Sequence, residues 1–371
     1  VSLRKIAYLT PLYFDEKSYL GGGERYPLNL AIGVVHASRG SCRVELISYG
    51  AESFRTELQP GLSLRVLRAA NRPVNPLDTT SWELPGAIGD ADLVHLHMPF
   101  TRSNELALIL AKQQHKPVCV TDHGGKSSNL GQNLDMLQLV DHILPNSDFA
   151  ASLLRTATPM TVIKGGVDGD RFFPRPHGEG PPRDRVLFVG RLLPHKGIDR
   201  LIEAMPPGVL LTICGRPYDA AYHTRLRELA ARKKVEFVTD ADDAAILALY
   251  RRAFALVLPS VYRDCYGSTQ AAPELMGFSL LEAMACGTPA ICSRVGGMPE
   301  YVRDGETGFV FDTVLELSAR LKLLAADPAL SDRMGRQARR VIEADYDLKV
   351  AGSKTLGVYR ALIAKRREAA A

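Results

Sequence analysis

Short runs of β-branched and aliphatic residues alternate along the chain with longer stretches whose apolar positions recur at helical spacing. In the first half the strand-like runs are Arg4–Thr10, Arg43–Ser48, Leu93–Met98, Pro117–Thr121 and Ile143–Pro145. Helical patterns lie between several of them, for example from Glu24 to His36. Such alternation predicts parallel sheets covered by helices on both faces. It stops at Phe173–Asp184, FPRPHGEGPPRD, where proline, glycine and charge mark a linker. It then resumes with strands Val186–Val189, Leu210–Cys214, Val235–Val238, Ala255–Leu258 and Pro289–Ser293. The intervening helices are Gly197–Met205, Tyr218–Lys233, Asp242–Arg252 and Ser279–Ala285, and helices follow Thr313. The expected fold class is α/β: two doubly wound halves over 1–172 and 185–345, a linker over 173–184 and a terminal helix over 346–371. Ligands of open α/β sheets sit outside the carboxyl ends of the strands, so the expected site is a cleft where the two sets of ends face each other.

Composition narrows the class. The 371 residues are 46% hydrophobic and 23% charged, as expected of an ordinary soluble protein, and the length suits two domains. A net charge of +5 is too small to imply nucleic-acid binding. The six cysteines form no CxxC pair and four lie in or beside strand-like runs, which reads as buried small hydrophobes in a reducing compartment. No apolar run approaches the roughly 20 residues of a membrane span, and the chain enters a strand directly without a signal-peptide pattern. The expected location is the cytoplasm; Lys365, Arg366 and Arg367 leave weak peripheral contact at the inner membrane face open, although three charges on a terminal helix are usually just solvated.

Three motifs fall just after strands. LGGGERYPLNLA (Leu20–Ala31) places Gly22 and Gly23 before a helix, where bare backbone and a helix N-terminus can approach a phosphate. It lacks the third glycine of a dinucleotide fingerprint, Tyr26 standing there. GRLLPHKG (Gly190–Gly197) brings Arg191 and Lys196 to a post-strand loop, a fork and a point charge suited to a diphosphate; it is not a P-loop. PELMGFSLLEAMACGTPAICSRVGGMPE (Pro273–Glu300) separates Glu274 from Glu282 by seven residues across a helix start. The residues around Glu282 are apolar, so its carboxylate needs a partner.

With GGGER, DLVHLHMPF, VTDHG, GGVDGDRFFP, LFVGRLLPHKGIDRLIEA and ELMGFSLLEAMACGTPAICSRVGGMPEYVRDGETGFVF, the chain resembles the retaining glycosyltransferases of the GT-B fold, family four, the group 1 type. The resemblance implies two Rossmann-like domains, acceptor side first and nucleotide-sugar side second, with the C-terminal helix crossing back to the first. It implies that Arg191 and Lys196 hold the donor diphosphate and that Glu282 binds the ribose hydroxyls. Glu274 would bind the donor sugar with amides near Gly277, Phe278 and Ser279. Gly22 and Gly23 would meet the donor from the other domain, and His123 would sit near the anomeric carbon. No cofactor or metal is implied; the donor is a UDP-, GDP- or other nucleotide-sugar, the acceptor a glycan, a lipid-linked molecule or a small molecule. Asp-x-Asp strings occur at Asp90, Asp168 and Asp240; those at Asp90, before a strand, and Asp240, before a helix, read as turns and caps rather than metal ligands.

The chain also departs from that family. VYRDCYGSTQAAP follows Pro259–Ser260, so alignment from the strand side puts Arg263 in the glutamate's place and alignment from the helix side puts Glu274 there; the uninterrupted EAMACGTP favours Glu274. Gly165 and Thr239 replace a common asparagine and a glycine near the nucleobase, which leaves the base open. Arg25, Tyr26 and the loop Asn71–Trp82 are the acceptor candidates. The alternatives are an inactive nucleotide-sugar-binding protein and an epimerase or phosphorylase of the same fold.

Overall fold

The computed structural model describes residues 3–11, 22–71, 75–124, 135–176 and 180–370. Leu20 and Gly21 of the glycine loop, and residues 177–179 of the expected linker, lie outside them. The chain divides into two compact units, one of residues 1–166 with 347–371 and one of residues 167–346. The division between Gly166 and Val167 falls upstream of the linker expected at 173–184.

The first unit runs β1 (Lys5–Leu9), α1 (Gly22–Ser38), β2 (Arg43–Gly50), β3 (Phe54–Gln59), β4 (Leu62–Arg68), α2 (Leu84–Ile88), β5 (Leu93–His97), α3 (Arg102–Gln113), β6 (Val118–Thr121), β7 (His142–Ile143) and α4 (Asp148–Ser152). Its seven strands lie in the order β3-β4-β2-β1-β5-β6-β7, parallel except for the antiparallel β3–β4 hairpin at one edge. The central strands β5 and β6 are buried at every position, as parallel strands covered on both faces must be. β3 is polar and exposed, an edge strand with no apolar alternation, and the sequence pattern did not reveal it.

The second unit runs β8 (Arg185–Val189), α5 (Ile198–Ala204), β9 (Leu210–Cys214), α6 (Ala220–Ala230), β10 (Val235–Val238), α7 (Asp243–Arg252), β11 (Ala253–Leu258), α8 (Phe278–Ala285), β12 (Ala290–Ser293), β13 (Gly308–Phe311), α9 (Val314–Ala326) and α10 (Pro328–Val341). Its six strands are all parallel, in the order β10-β9-β8-β11-β12-β13 of a Rossmann sheet. Side-chain caps fix where helices begin. Asp219 and Asp242 accept from Tyr222 N–H and Ala245 N–H, and Thr313 with Glu316 forms a capping box. α10 buries Ser331, Met334, Gly335, Ala338 and Val341, one helical face.

The last helix, α11 (Leu348–Ala370), belongs to the first unit and packs on α1. Two glycines allow the backbones to touch. A Cβ on Gly33 would lie 2.1 Å from the Leu348 carbonyl oxygen, and one on Gly352 would lie 2.1 Å from the Gly33 carbonyl carbon. Gly33→Val is therefore expected to destabilise the protein by about 3 kcal/mol or more, the upper range for an overpacked core. Urea unfolding of the variant against wild type measures it.

Candidate functional site

In the second sheet the strand order reverses between β8 and β11, and the loops leaving their carboxyl ends define the crevice where Rossmann sheets bind ligands. Gly190–Gly197 leaves β8 and the segment from Pro259 leaves β11. The two loops touch through Gly197, whose φ of +65° and lack of a side chain are both required: a Cβ there would lie 2.1 Å from the Pro259 carbonyl oxygen. The Val261 N–H donates to the His195 carbonyl at 2.8 Å. This clamp brings Lys196 beside Ser260. Lys196 Nζ donates to Glu274 Oε1, and Ser260 Oγ donates to the same oxygen at 3.0 Å. Both charged side chains are largely buried, Lys196 at 12% and Glu274 at 10% exposure. Glu274 is fixed from behind, its carbonyl accepting from Gly297 N–H at 3.1 Å while Gly296 lies against it.

Gly277, at φ +79°, caps α8, and Ser279 Oγ donates to the Val189 carbonyl at 3.0 Å, tying the helix start to the end of β8. Phe278 is buried. Glu282, one turn in, is 4% exposed; the partner its burial demands is Tyr250, whose hydroxyl donates to Oε2 at 2.6 Å. Arg191 is exposed on the β8 loop, its guanidinium 6.0 Å from the Tyr218 ring centroid. The structure thus brings Lys196 and Glu274 into contact and holds Glu282 in a separate bond. Sequence reasoning missed Ser260 and Tyr250.

The extra segment after Ser260 is a closed hairpin. Gln270 N–H donates to the Tyr262 carbonyl at 2.9 Å and Asp264 N–H to the Ser268 carbonyl at 3.0 Å. Arg263 is exposed on it, so Glu274 rather than Arg263 meets Lys196. Gln270 Nε2 lies 3.1 Å from His195 Nδ1. Burial, then the neighbouring Lys196 charge, lowers the His195 imidazole to about 4, so it is neutral at pH 7.

The first unit contributes a buried polar chain. Thr121 Oγ1 donates to the Leu144 carbonyl, which can only accept, at 2.9 Å. The Thr121 proton is then committed, so His95 Nε2–H donates to Thr121 at 2.9 Å. His95 Nδ1 must accept from the Tyr359 hydroxyl at 2.6 Å, and Tyr359 in turn accepts from Tyr8 at 2.7 Å. His97 stacks beside His95 with ring centroids 4.2 Å apart, and its Nδ1 lies 2.9 Å from His123 Nε2. The backbone turns sharply after His97: Met98 has φ +65°, and the Asn104 amide donates to the carbonyls of His97 and Met98. Burial lowers His95 and His97 well below the ordinary imidazole value and His123 to about 3. His123 therefore follows β6 as a neutral base held by a side chain. Gly22 opens α1, and Gly23 lies in its first turn.

Of the acceptor candidates, Tyr26 is fully buried, donates to the Ile163 carbonyl at 3.1 Å and packs its ring on His123, so it serves packing; Arg25 is buried as well. Trp82 is 90% exposed. Asp242 caps α7, Asp90 pairs with Lys5, and Asp168 accepts from Asp170 N–H and Arg171 N–H. No group of three or more ligating side chains suited to a metal ion occurs among the described residues. No helix among them is long and apolar enough to cross a membrane. All six cysteines are free, five of them buried and Cys265 exposed.

Two parallel-sheet units, one with Rossmann strand order, have the architecture of the GT-B fold. Solved structures share it along nearly the whole chain. A sucrose-phosphate synthase from Thermosynechococcus elongatus superposes with a TM-score of 0.74 at 22% identity, covering 98% of this chain and 100% of that one. An Anabaena protein in complex with UDP and glucose gives 0.71 at 19% identity, covering 96% and 100%. Residues 170–341 match the family described as glycosyl transferases group 1. The chain is 36% identical over 220 residues to a glycogen synthase of Mycobacterium tuberculosis, 56% of this chain and 50% of the relative. It is 30% identical over 257 residues to a GDP-mannose-dependent alpha-(1-6)-phosphatidylinositol monomannoside mannosyltransferase of Mycolicibacterium smegmatis, 65% of each. The match thus spans half to two thirds of the length of these curated relatives.

Tyr359→Phe removes the central hydroxyl of the buried chain and leaves Tyr8 and His95 Nδ1 unpaired. Denaturant unfolding is expected to show a loss of about 1–3 kcal/mol, the cost of stranded buried polar groups. The three histidines also set a pH dependence. Their folded values lie below the unfolded value of about 6.5, so the unfolded chain binds more protons in that interval and stability rises with pH there. The melting temperature is expected to be flat between about pH 7 and 8 and to fall from about 6.5 towards the His123 value of about 3. Calorimetry across that range checks it.

Proposed function

We propose that this protein is a retaining glycosyltransferase that moves a sugar from a nucleoside diphosphate sugar to an acceptor hydroxyl without a metal ion. The observation that carries the reading is the contact of Lys196 with Glu274, whose same oxygen also accepts from Ser260, at the switch point of the second sheet. It sets a cation suited to a phosphate and a carboxylate suited to sugar hydroxyls side by side. Similar proteins agree with such a donor: one is a GDP-mannose-dependent mannosyltransferase, and one structural neighbour was solved with UDP and glucose.

In this reading Lys196 and Arg191 hold the donor diphosphate. Glu274 takes hydroxyls of the donor sugar with amides near Gly277, Phe278 and Ser279, and Glu282 takes the ribose. The bond from the anomeric carbon to the β-phosphate oxygen breaks, and the negative charge growing on the leaving group is stabilised by the two cations and the start of α8. The acceptor oxygen bonds to the same face, and its proton passes to the departing phosphate. In the first unit, His123 orients the donor sugar as a neutral hydrogen-bonding group, and Gly22 and Gly23 offer backbone to the donor. The acceptor is a glycan, a lipid-linked molecule or a small molecule. The free cysteines support a reducing, cytoplasmic setting.

Lys196→Ala is expected to lower kcat/KM by about 100-fold or more, the scale of losing one preorganised charge at a developing anion. Steady-state assays with UDP-, GDP- and ADP-sugars read this and name the base, and unchanged rates in EDTA are expected. Proton NMR of the first product is expected to show the donor's anomeric configuration. Near-normal turnover by the variant, or an inverted product, defeats the reading.

A further inference from the structure

A groove of about 770 Å³ lies at the amino end of the first sheet, where the starts of β1 and β2 meet the second half of α11. Arg4, Lys5, Arg43, Arg360 and Arg367 line it, with Asp90 as the single acid. That acid is already neutralised: Lys5 Nζ bonds Asp90 Oδ1 at 2.7 Å and also reaches Glu45 at 2.8 Å. The side chains of Arg43, Arg360 and Arg367 have no ion pair or hydrogen bond among the described residues. Leu3 and Ile363 supply an apolar wall.

Unpaired guanidiniums converging on one concavity repel each other, and a low-dielectric wall focuses their field outward. An anion with several oxygens relieves the repulsion, and the planar arginine fork matches phosphate. His97 ends β5 and His123 follows β6, both strands parallel to β1, so the groove is at the opposite end of the strands from them. We propose that this groove binds a phosphate-bearing anion, either the headgroup of an anionic phospholipid or a soluble phosphorylated molecule. Arg360 directly follows Tyr359, so a bound anion braces the helical turn that completes the His95 hydrogen-bond chain.

The test uses the full chain carrying Lys196→Ala, so that the donor phosphate site of the second unit is weakened. Titration calorimetry with inorganic pyrophosphate, and co-sedimentation with phosphatidylglycerol–phosphatidylcholine vesicles, read the groove. Arg43→Gln with Arg360→Gln in that background, both exposed positions, is expected to weaken one or both at least tenfold while leaving the circular dichroism melt unchanged. Loss of vesicle binding identifies a headgroup; loss of pyrophosphate binding alone identifies a soluble ligand. Binding is also expected to weaken as salt is raised from 50 to 300 mM, about the range over which exposed charges become screened. No binding of either probe, or binding indifferent to the two arginines, overturns the proposal. Activity of Lys196→Ala judges the donor reading separately.

Discussion

The second unit is organised around one costly contact, the mostly buried ion pair of Lys196 with Glu274. Removing two charges from water is repaid only when geometry is tight and the remaining lone pairs are satisfied. The chain tightens the geometry with backbone as much as side chains. Gly197 lets the β8 loop press on Pro259, Gly296 lets a later loop press on Glu274, and Ser260 adds a hydrogen bond to the same carboxylate oxygen. An apolar pair of the same volume would cost less to bury. A charged pair is useful where an incoming ligand carries charges and hydroxyls of its own, because each partner then has a replacement ready.

The first unit solves the opposite problem. Its polar core holds imidazoles and phenols, which stay neutral, and burial itself enforces that neutrality. Because the Leu144 carbonyl can only accept, every proton from Thr121 back to Tyr8 has one direction. A chain with a fixed direction is rigid in a way that a reversible one is not. It sits next to His97 and, through His97, His123, so the base is held by a packed and polarised support rather than by a flexible loop.

The sequence revealed what is local. β9 falls where its mostly apolar run predicts it, since a strand buried on both faces has a run that needs no partner to be recognised. β3 carries polar residues at a sheet edge, β4 pairs with it, and β13 is a four-residue run after a turn; each owes its existence to a neighbour strand. The site divides similarly. Glu274, Glu282 and Lys196 announce themselves through glycine-bounded loops and a helix start. Tyr250 lies 32 positions from Glu282, and Tyr359 lies 264 positions from His95, separations over which no periodicity carries information. The hairpin between Arg263 and Gln270 left two alignments open until its hydrogen bonds showed a self-contained insertion.

The first unit is assembled from two pieces of chain with the whole of the second unit between them. A ribosome therefore delivers every residue of the inner unit before it delivers the helix that covers Gly33 and supplies Tyr359. Until then α1 has a bare glycine face, and the hydroxyl of Tyr8 and Nδ1 of His95 lack their partner. The inner unit is contiguous and can close as it emerges, whereas the outer one must hold an unfinished core through 180 residues of synthesis. In this protein the domain that begins first is the one that finishes last.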